Sequence, residues 1–474
     1  MITHGYRSSA RCDERSAPIS QHLILGAFEE FTPNFIGNSW HHERGDTSAF
    51  ATLGFWQELV GAVEAAGFDF FFMAEAIGYP MNDDGEVPEA VVREAVQFPV
   101  HDPIAIMSAL AATVPRIGLV VTASTTAQKP LLNARTFTTL DHLTEGRIGW
   151  NIVTSDNQQA MVRLLDLDGI TPHDERYARA QEFVELELQL WEGAWDDGAV
   201  LADKATKTFA DPRKVHRIRH DGHYFHLDGY FQATPSPQRT PTLFQAGTSA
   251  AGTSFAASYA ECVFTQERDP RRLAAAIALL REKAVAAGRP ADSIKIVNGA
   301  SFVIAPTDEE AARLRDELNH TPTREAAAAL FLGWSGVDLA QLDPVASLDD
   351  VSTEVGQTMV NLWRNPDGTS PTIGEVLDSL PSTIGGVKFT GSPSSIADQV
   401  EAFVEETDVD GFLVENWYGG AEGYRDIIEL LMPVLRERGL LPETPRTGTL
   451  REMLTGSPSP SLPDWHPGRR YRNG

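Results

Sequence analysis

The stretch Arg147-Ile-Gly-Trp-Asn-Ile-Val-Thr-Ser155 decides how this chain is read. Its apolar residues come first and its polar ones last: Asn151, Thr154 and Ser155, followed by Asp156 and Asn157. A helical pattern over 131–143 and a Thr144-Glu145-Gly146 turn precede it. A strand with an apolar start and a polar C-terminal end is what a barrel presents where its last residues face a ligand. A buried strand running into an Asn/Asp/Ser turn gives the same letters. The choice between the two depends on the neighbouring segments.

Those segments repeat the unit. Strands are expected at 23–28, 68–73, 117–122, 147–155, 241–246, 262–264, 294–305 and 411–414. Helical spacing is expected over 47–67, 102–113, 130–143, 173–191, 269–287, 308–318, 392–406 and 424–438, with another helix opening after Gly247. Asp102 followed by Pro103 is an N-cap with proline at the first helical position. Eight alternating units predict an α/β fold, a (β/α)8 TIM-like barrel with insertions; an open doubly wound sheet is the alternative. No G-x-G-x-x-G follows the first strand, which argues against dinucleotide binding. The expected layout is an unstructured arm over 1–21, one barrel over 22–440 with insertions near 193–240 and 319–386, and an extended tail over 441–474 that is disordered beyond Gly456.

Composition narrows the partners. Sixty-six acidic residues against 39 basic ones give a net charge of −27, which repels nucleic acid and anionic membranes. No apolar run approaches the ~20 residues that span a bilayer, and the N-terminus lacks a secretory apolar core. Two cysteines, Cys12 and Cys262, make a disulfide framework improbable, so a reducing cytoplasm is the expected location.

Several residues on the expected rim could carry chemistry. Gln245-Ala246-Gly247-Thr248-Ser249-Ala250-Ala251-Gly252 joins the fifth strand to a helix. Small residues and a helix N-terminus suit an anion, with Ser249 as a hydroxyl donor; an ordinary Gly/Ser turn with an N-cap reads the same way. His173 and Tyr177, four apart at a helix start, share one face. Glu75 ends the second strand. His41 and His42 follow Trp40 beyond the first strand and are candidates for a proton-handling role, or else surface histidines. His216, His220, His223 and His226 could suggest a metal-dependent barrel hydrolase, but their spacing is irregular and no H-E-x-x-H accompanies them, so no metal site is assigned.

Together, TLDHLTEGRIGWNIVTS, HDERY with EFVE, TPTLFQAGTSAAG, and FTGSPSSIADQVEAFV with VDGFLV resemble the bacterial luciferase-like flavin monooxygenases. The similarity is to the branch of the nitrilotriacetate monooxygenase large component and the dibenzothiophene sulfone monooxygenase, from about Leu23 to Leu440. The resemblance implies a barrel that uses reduced FMN and O2 to oxygenate a small organic substrate. A separate NAD(P)H-dependent flavin reductase would supply the flavin, and the barrels would pair as a homo-oligomer, a dimer or tetramer. It further implies Asn151 at the isoalloxazine edge, Thr122 and Ser124 under the ring, and His173 and Tyr177 along the ribityl and phosphate side. Gly247 and Ser249, with neighbouring backbone N–H groups, would sit at the phosphate. Glu75 stands where the family usually has Asp.

Three segments depart from the family pattern: Ala127-Gln128-Lys129-Pro130, where aromatics are common; NSWHHERGD over 38–46; and a long loop from Tyr79 to Val100. All flank the expected substrate entrance. Catalysis would require a proton near the reacting oxygen, and His173 or the His41/His42 pair is the expected source, because imidazole titrates near neutrality. A deazaflavin-dependent oxidoreductase without oxygen insertion is the rival within the superfamily, and a non-catalytic flavin-binding barrel is a further one.

Overall fold

The computed structural model describes residues 22–33, 39–82, 84–155, 157–247, 249–353, 355–364 and 369–472. The expected arm over 1–21 lies outside them. Eight parallel strands close into a barrel: β1 (Ile24–Glu30), β2 (Phe70–Ala74), β3 (Gly118–Ser124), β4 (Ile148–Val153), β5 (Thr242–Gln245), β6 (Cys262–Thr265), β7 (Lys295–Ile304) and β8 (Gly411–Glu415). β8 pairs with β1, and β6 with β7, so the ring has no open edge and the doubly wound alternative falls. β7 is long. Its residues 295–300 pair inside the barrel, while Ala300–Ile304 run on to pair with Val387–Gly391, a ninth strand that the sequence did not signal.

The strands read as near-continuous apolar runs because both faces are buried. Alternate residues divide between them. Phe71, Met73, Leu119, Val121, Trp150 and Leu243 pack under the surrounding helices. Phe28, Phe70, Phe72, Phe244 and Phe264 fill the interior. Their rings meet at 5.2–5.4 Å for the pairs Phe28–Phe72, Phe28–Phe264 and Phe70–Phe244. From below, Leu450, Met453 and Leu454 close the N-terminal end of the barrel. Gly118 and Gly149 make room for that plug: a Cβ on either would stand 2.5 or 2.9 Å from Leu450.

The C-terminal segment therefore differs from the expected extended tail. Residues 441–472 are packed, with a helix at Leu450–Thr455 and a reciprocal capping box between Thr449 and Glu452. The Thr-x-x-Glu pattern and the spacing of Leu450, Met453 and Leu454 were available in the sequence, but the surrounding Pro/Ser composition masked them. Arg451 is fully buried. Its guanidinium donates to Glu261 Oε1 and Oε2 at 2.5 and 2.9 Å, and to the carbonyl of Thr240 at 3.0 Å. Glu261 also accepts from the Leu243 N–H, so β5 and the tail share one carboxylate.

Both insertions are structured. Residues 193–240 form two hairpins, Val200–Asp203 with Thr208–Ala210 and Arg217–Asp221 with His226–Tyr230. Glu182, on helix His173–Leu188, holds the second hairpin by accepting from the N–H groups of His223, Tyr224 and Phe225. The 319–386 insertion carries helices Arg324–Ser335 and Ile373–Thr383. Their apolar faces form a second core with Val91 and Val96 of the loop after β2. The loop leaves the C-terminal end of β2, and the insertion, which follows helix Asp308–Asn319, meets the segment after β4 where the Asn157 N–H donates to the Gly333 carbonyl at 3.2 Å, so this second core roofs the rim. No described helix is long and apolar enough to cross a membrane.

Removing one partner of a buried ion pair leaves the other uncompensated, at a cost of about 3–5 kcal/mol. Arg451→Ala is expected to destabilise the protein by that amount in urea unfolding. Replacing both partners, Arg451→Met with Glu261→Leu, is expected to recover most of the loss.

Candidate active site at the barrel rim

One step above the phenylalanine layer, the inward-facing positions turn polar. Register places Thr122 of β3 beside Asn151 of β4. Asn151 Nδ2 donates to Thr122 Oγ1 at 2.9 Å, and both side chains are buried. Asn151 Oδ1 is buried without a partner. Ser124, next along β3, is held by its own turn: its Oγ accepts from the N–H groups of Thr126 and Ala127 at 3.2 and 3.3 Å and from Ser155 Oγ at 2.5 Å.

The turn after β5 is built close. A Cβ on Gly247 would come within 2.4 Å of Tyr177 Oη and 2.3 Å of Gln245 Nε2; one on Gly252 would stand 2.7 Å from the same hydroxyl. A side chain at Gly247 would displace the Tyr177 hydroxyl and the Gln245 amide, and one at Gly252 the same hydroxyl. Ser249 caps helix Ala250–Tyr259, its Oγ accepting from Gly252 N–H at 3.0 Å. Tyr177 hydrogen-bonds to Ser249, Gln245 and Thr154, and burial raises the pKa of its phenol. Gln245 Oε1 is a second buried acceptor without a partner. The side chains of Thr122, Asn151, Tyr177 and Ser249 thus lie along one arc of the rim, over β3, β4 and β5, with Gly247 in the turn between them.

His173 flanks this arc. Its ring lies 5.1 Å from that of Tyr177, and its Nδ1 is 3.1 Å from Asp174 Oδ1. Glu75, just past β2, has one buried carboxylate oxygen without a partner. Burial, and secondarily the charge of Asp102, push its carboxyl up to about 8, so it is mostly protonated at neutral pH. His41 and His42 sit apart from the arc, after β1. His41 is exposed against Trp40, ring to ring at 5.1 Å. His42 is buried 4.7 Å from the Tyr418 ring that follows β8, and its Nδ1 accepts from Arg44 N–H at 3.1 Å. Burial lowers its pKa, which favours the neutral ring.

The four hairpin histidines do not converge. His216, His220 and His226 each face a separate carboxylate, Asp196, Glu182 and Asp221, at 2.7, 3.1 and 2.7 Å. Among the described residues there is no group of three metal-capable side chains. Cys262 lies buried inside the barrel.

A further buried polar group was not anticipated. Glu415, the last residue of β8, accepts from Gln266 Nε2 at 2.7 Å, from Gly386 N–H at 3.0 Å and from Ser301 Oγ at 3.3 Å. Burial raises its pKa, and burial lowers that of nearby Lys388 to about 7. The signal was the one that marks β4: an apolar strand ending in Glu415-Asn416.

The Glu75 carboxyl sets a pH dependence. Its folded pKa of about 8 lies above the ordinary 4.5. The folded state therefore holds the proton more tightly, and this contribution to stability is complete below pH ~4.5 and lost as pH rises toward 8. Glu75→Gln is expected to melt close to the native protein at pH 5 and higher than it at pH 8.5. Equal melting temperatures at both pH values would show that Glu75 is not buried as a neutral acid.

Comparison with known proteins bears on this rim. The family model described as luciferase-like monooxygenase matches residues 31–411. Dimethyl-sulfide monooxygenase of Hyphomicrobium sulfonivorans is 35% identical over 460 residues, 96% of this chain and 95% of that protein. Long-chain alkane monooxygenase of Geobacillus thermodenitrificans is 35% identical over 461 residues, 96% and 99% of the two chains. A crystal structure of a riboflavin lyase with modified FMN and its substrate riboflavin superposes with a TM-score of 0.90 at 38% identity, covering 96% of this chain and all of that one. Nitrilotriacetate monooxygenase component A of Aminobacter aminovorans, whose branch the motifs resemble, is 30% identical over 424 residues, 88% and 92% of the two chains.

Proposed function

The chain belongs to the luciferase-like monooxygenase family, and from that premise we propose that it oxygenates a small organic substrate with reduced FMN and O2. The reduced flavin would arrive from a separate NAD(P)H-dependent reductase, and the working form would be a homo-oligomer. The observation that carries this reading is the arc over β3–β5. It holds two buried acceptors without partners, Asn151 Oδ1 and Gln245 Oε1, beside a turn where a side chain on Gly247 or Gly252 would displace the Tyr177 hydroxyl.

That arc fits FMN. An unpartnered buried acceptor costs about 1–3 kcal/mol, and the N–H of an isoalloxazine edge would relieve it at Asn151. Thr122 fixes the Asn151 amide by accepting from its nitrogen. Tyr177 Oη, Ser249 and the N–H groups opening helix Ala250–Tyr259 suit a phosphate, by hydrogen bonding and by the helix dipole. Reduced flavin, when bound, supplies the electrons that activate dioxygen. The chain's own residues bind and orient. The phenylalanine floor and the insertion roof exclude water. His173, partly exposed beside Tyr177, is the first candidate for moving a proton. His42, buried against Tyr418, is the second candidate for that role, and His41 the third.

Asn151→Ala and Ser249→Ala are each expected to weaken reduced FMN binding about tenfold, the loss of one buried hydrogen bond, in anaerobic fluorescence titration. Unchanged affinity in both would overturn the assignment of the arc. In the same titration, tight binding of a reduced deazaflavin without FMN binding would favour hydride transfer over oxygenation. Substrate-dependent oxygen uptake with His173→Ala, His42→Ala and His41→Ala tests the proton source: a drop of about 10²-fold or more is expected for the residue that serves. A second reading concerns the substrate. The similarity to the riboflavin lyase supports riboflavin itself as a candidate, and its consumption in the coupled assay checks that.

A further inference from the structure

Behind the barrel wall, a cavity of about 60 Å³ lies between helix Ala250–Tyr259, helix Pro270–Ala286 and the outer side of β6 and β7. It has room for a few atoms, far less than the roughly 300 Å³ or more that a drug-sized ligand occupies. Six aliphatic side chains line it, among them Ile277, Leu280 and Ile296, and no lining residue is charged. Gly247, Thr253 and Thr265 complete the wall. Both threonine hydroxyls already donate elsewhere: Thr253 to the Ser249 carbonyl at 2.8 Å, and Thr265 to Asn298 Oδ1 at 2.7 Å. The two ends of the cavity face different places. Leu279, on the outer end, is 46% exposed, so the cavity opens at the protein surface. Thr265 is the last residue of β6, and Gly247 belongs to the turn after β5, so the inner end reaches the rim beside the arc.

Size and lining together define the occupant. A confined water needs several polar partners, and a cavity walled by hydrocarbon takes apolar atoms such as xenon instead. We propose that this cavity is a dioxygen site, through which O2 passes from the surface beside Leu279 to the rim at Gly247 and Thr265. Dioxygen is two atoms long, uncharged and apolar, so it gains from a hydrocarbon wall and gives up little hydration on entering. An organic substrate finds no room there, and a polar one no partner. The need for such a route follows from the fold. The phenylalanine rings fill the barrel below the rim, and the second core covers it from above. A passage between two helices lets the gas arrive without crossing the space that flavin and substrate would fill. The inference rests on the oxygenation reading for the use made of O2; the binding of a small apolar gas rests on the cavity alone.

The test pairs xenon binding, followed by xenon NMR on the full chain, with the rate at which O2 reoxidises protein-bound reduced FMN in stopped flow. Ala276→Leu fills the cavity, a kind of change that folded proteins commonly tolerate, and Ala276→Val fills it in part and serves should the larger residue impair folding. The native protein is expected to bind xenon, Ala276→Val to bind it more weakly and Ala276→Leu not at all. The bimolecular rate constant for O2 is expected to fall about fivefold or more in Ala276→Leu and less in Ala276→Val, with reduced FMN affinity held within about twofold, because access and not flavin binding is altered. Absence of xenon from the native protein would overturn the proposal. So would an unchanged O2 rate constant in a variant that has lost xenon, which would make the cavity a packing gap only, or a parallel loss of FMN affinity, which would assign the effect to the turn at Gly247. Xenon binding in a protein that does not bind reduced FMN would leave the gas site standing and overturn the oxygenation reading instead.

Discussion

Five phenylalanine rings in the centre of the barrel determine what the rest of the molecule can do. An eight-stranded barrel has an interior just wide enough for side chains, and Phe28, Phe70, Phe72, Phe244 and Phe264 occupy it. Each buried ring contributes roughly 1.5–3 kcal/mol by burial, and each edge-to-face pair about 0.5–1.5 kcal/mol more. The same packing fills the axis among the described residues with side chains. Inside the barrel, binding is confined to the rim, where the inward positions of successive strands can be polar without breaking the core. From below, Leu450 and its neighbours complete the seal, and the Arg451–Glu261 pair holds that plug to the strand ends.

The rim is also a place of low polarisability, and its titratable groups register this consistently. Glu29 and Glu75 are both raised to about 8, chiefly by burial, and Lys388 is lowered to about 7 for the same reason. Carboxyls up and an amine down is the pattern of desolvation, not of a net local charge, which would move both kinds the same way. Glu29 is buried against Asn416 and Tyr424 and Lys388 over the Trp417 ring, while a second apolar core of Leu330, Phe331, Val376 and Leu380 stands over the polar ring. Hydrogen bonds made there act in a medium that strengthens them. An unpaired Asn151 or Gln245 acceptor is correspondingly costly unless something fills the space.

Much of this was legible in the sequence, for definable reasons. The eight barrel strands fall where they were expected, because strands buried on both faces leave uninterrupted apolar runs, and Asp102 caps its helix as read, accepting from Ile104 N–H at 2.8 Å. The juxtaposition of Thr122, Asn151, Tyr177, Gly247 and Ser249 followed from putting polar strand ends on one rim. What was lost was non-local. The strand Val387–Gly391 is half polar and exists because β7 overruns the barrel and needs a partner. The tail packs because Arg451 finds Glu261, 190 residues away in sequence. Glu415 was overlooked although its strand ends polar like the others, and Gln97 carries no local pattern at all: only the fold brings it to Gly333 together with Asn157 from the polar run after β4.

This division has a physical logic that bears on specificity. The flavin contacts proposed above lie on the arc over β3–β5, held by barrel register and by a close glycine turn. Of the segments that depart from the family pattern, Ala127–Pro130 adjoins the arc, the Ala127 N–H donating to Ser124 Oγ at 3.3 Å, and the other two lie elsewhere. Residues 39–46 are tied to the far side of the barrel, Arg44 bonding Glu422 and Asp426 at 3.0 and 2.8 Å and lying 4.1 Å over the Tyr418 ring. The long loop from Tyr79 to Val100 contributes Val91 and Val96 to the roof. A barrel strand cannot change its rim residue without disturbing two neighbours in register, whereas a roof segment anchored by a few apolar contacts can be rebuilt around a new ligand. The arc is therefore the part of the rim that the barrel constrains most, and the roof is the part freest to be rebuilt.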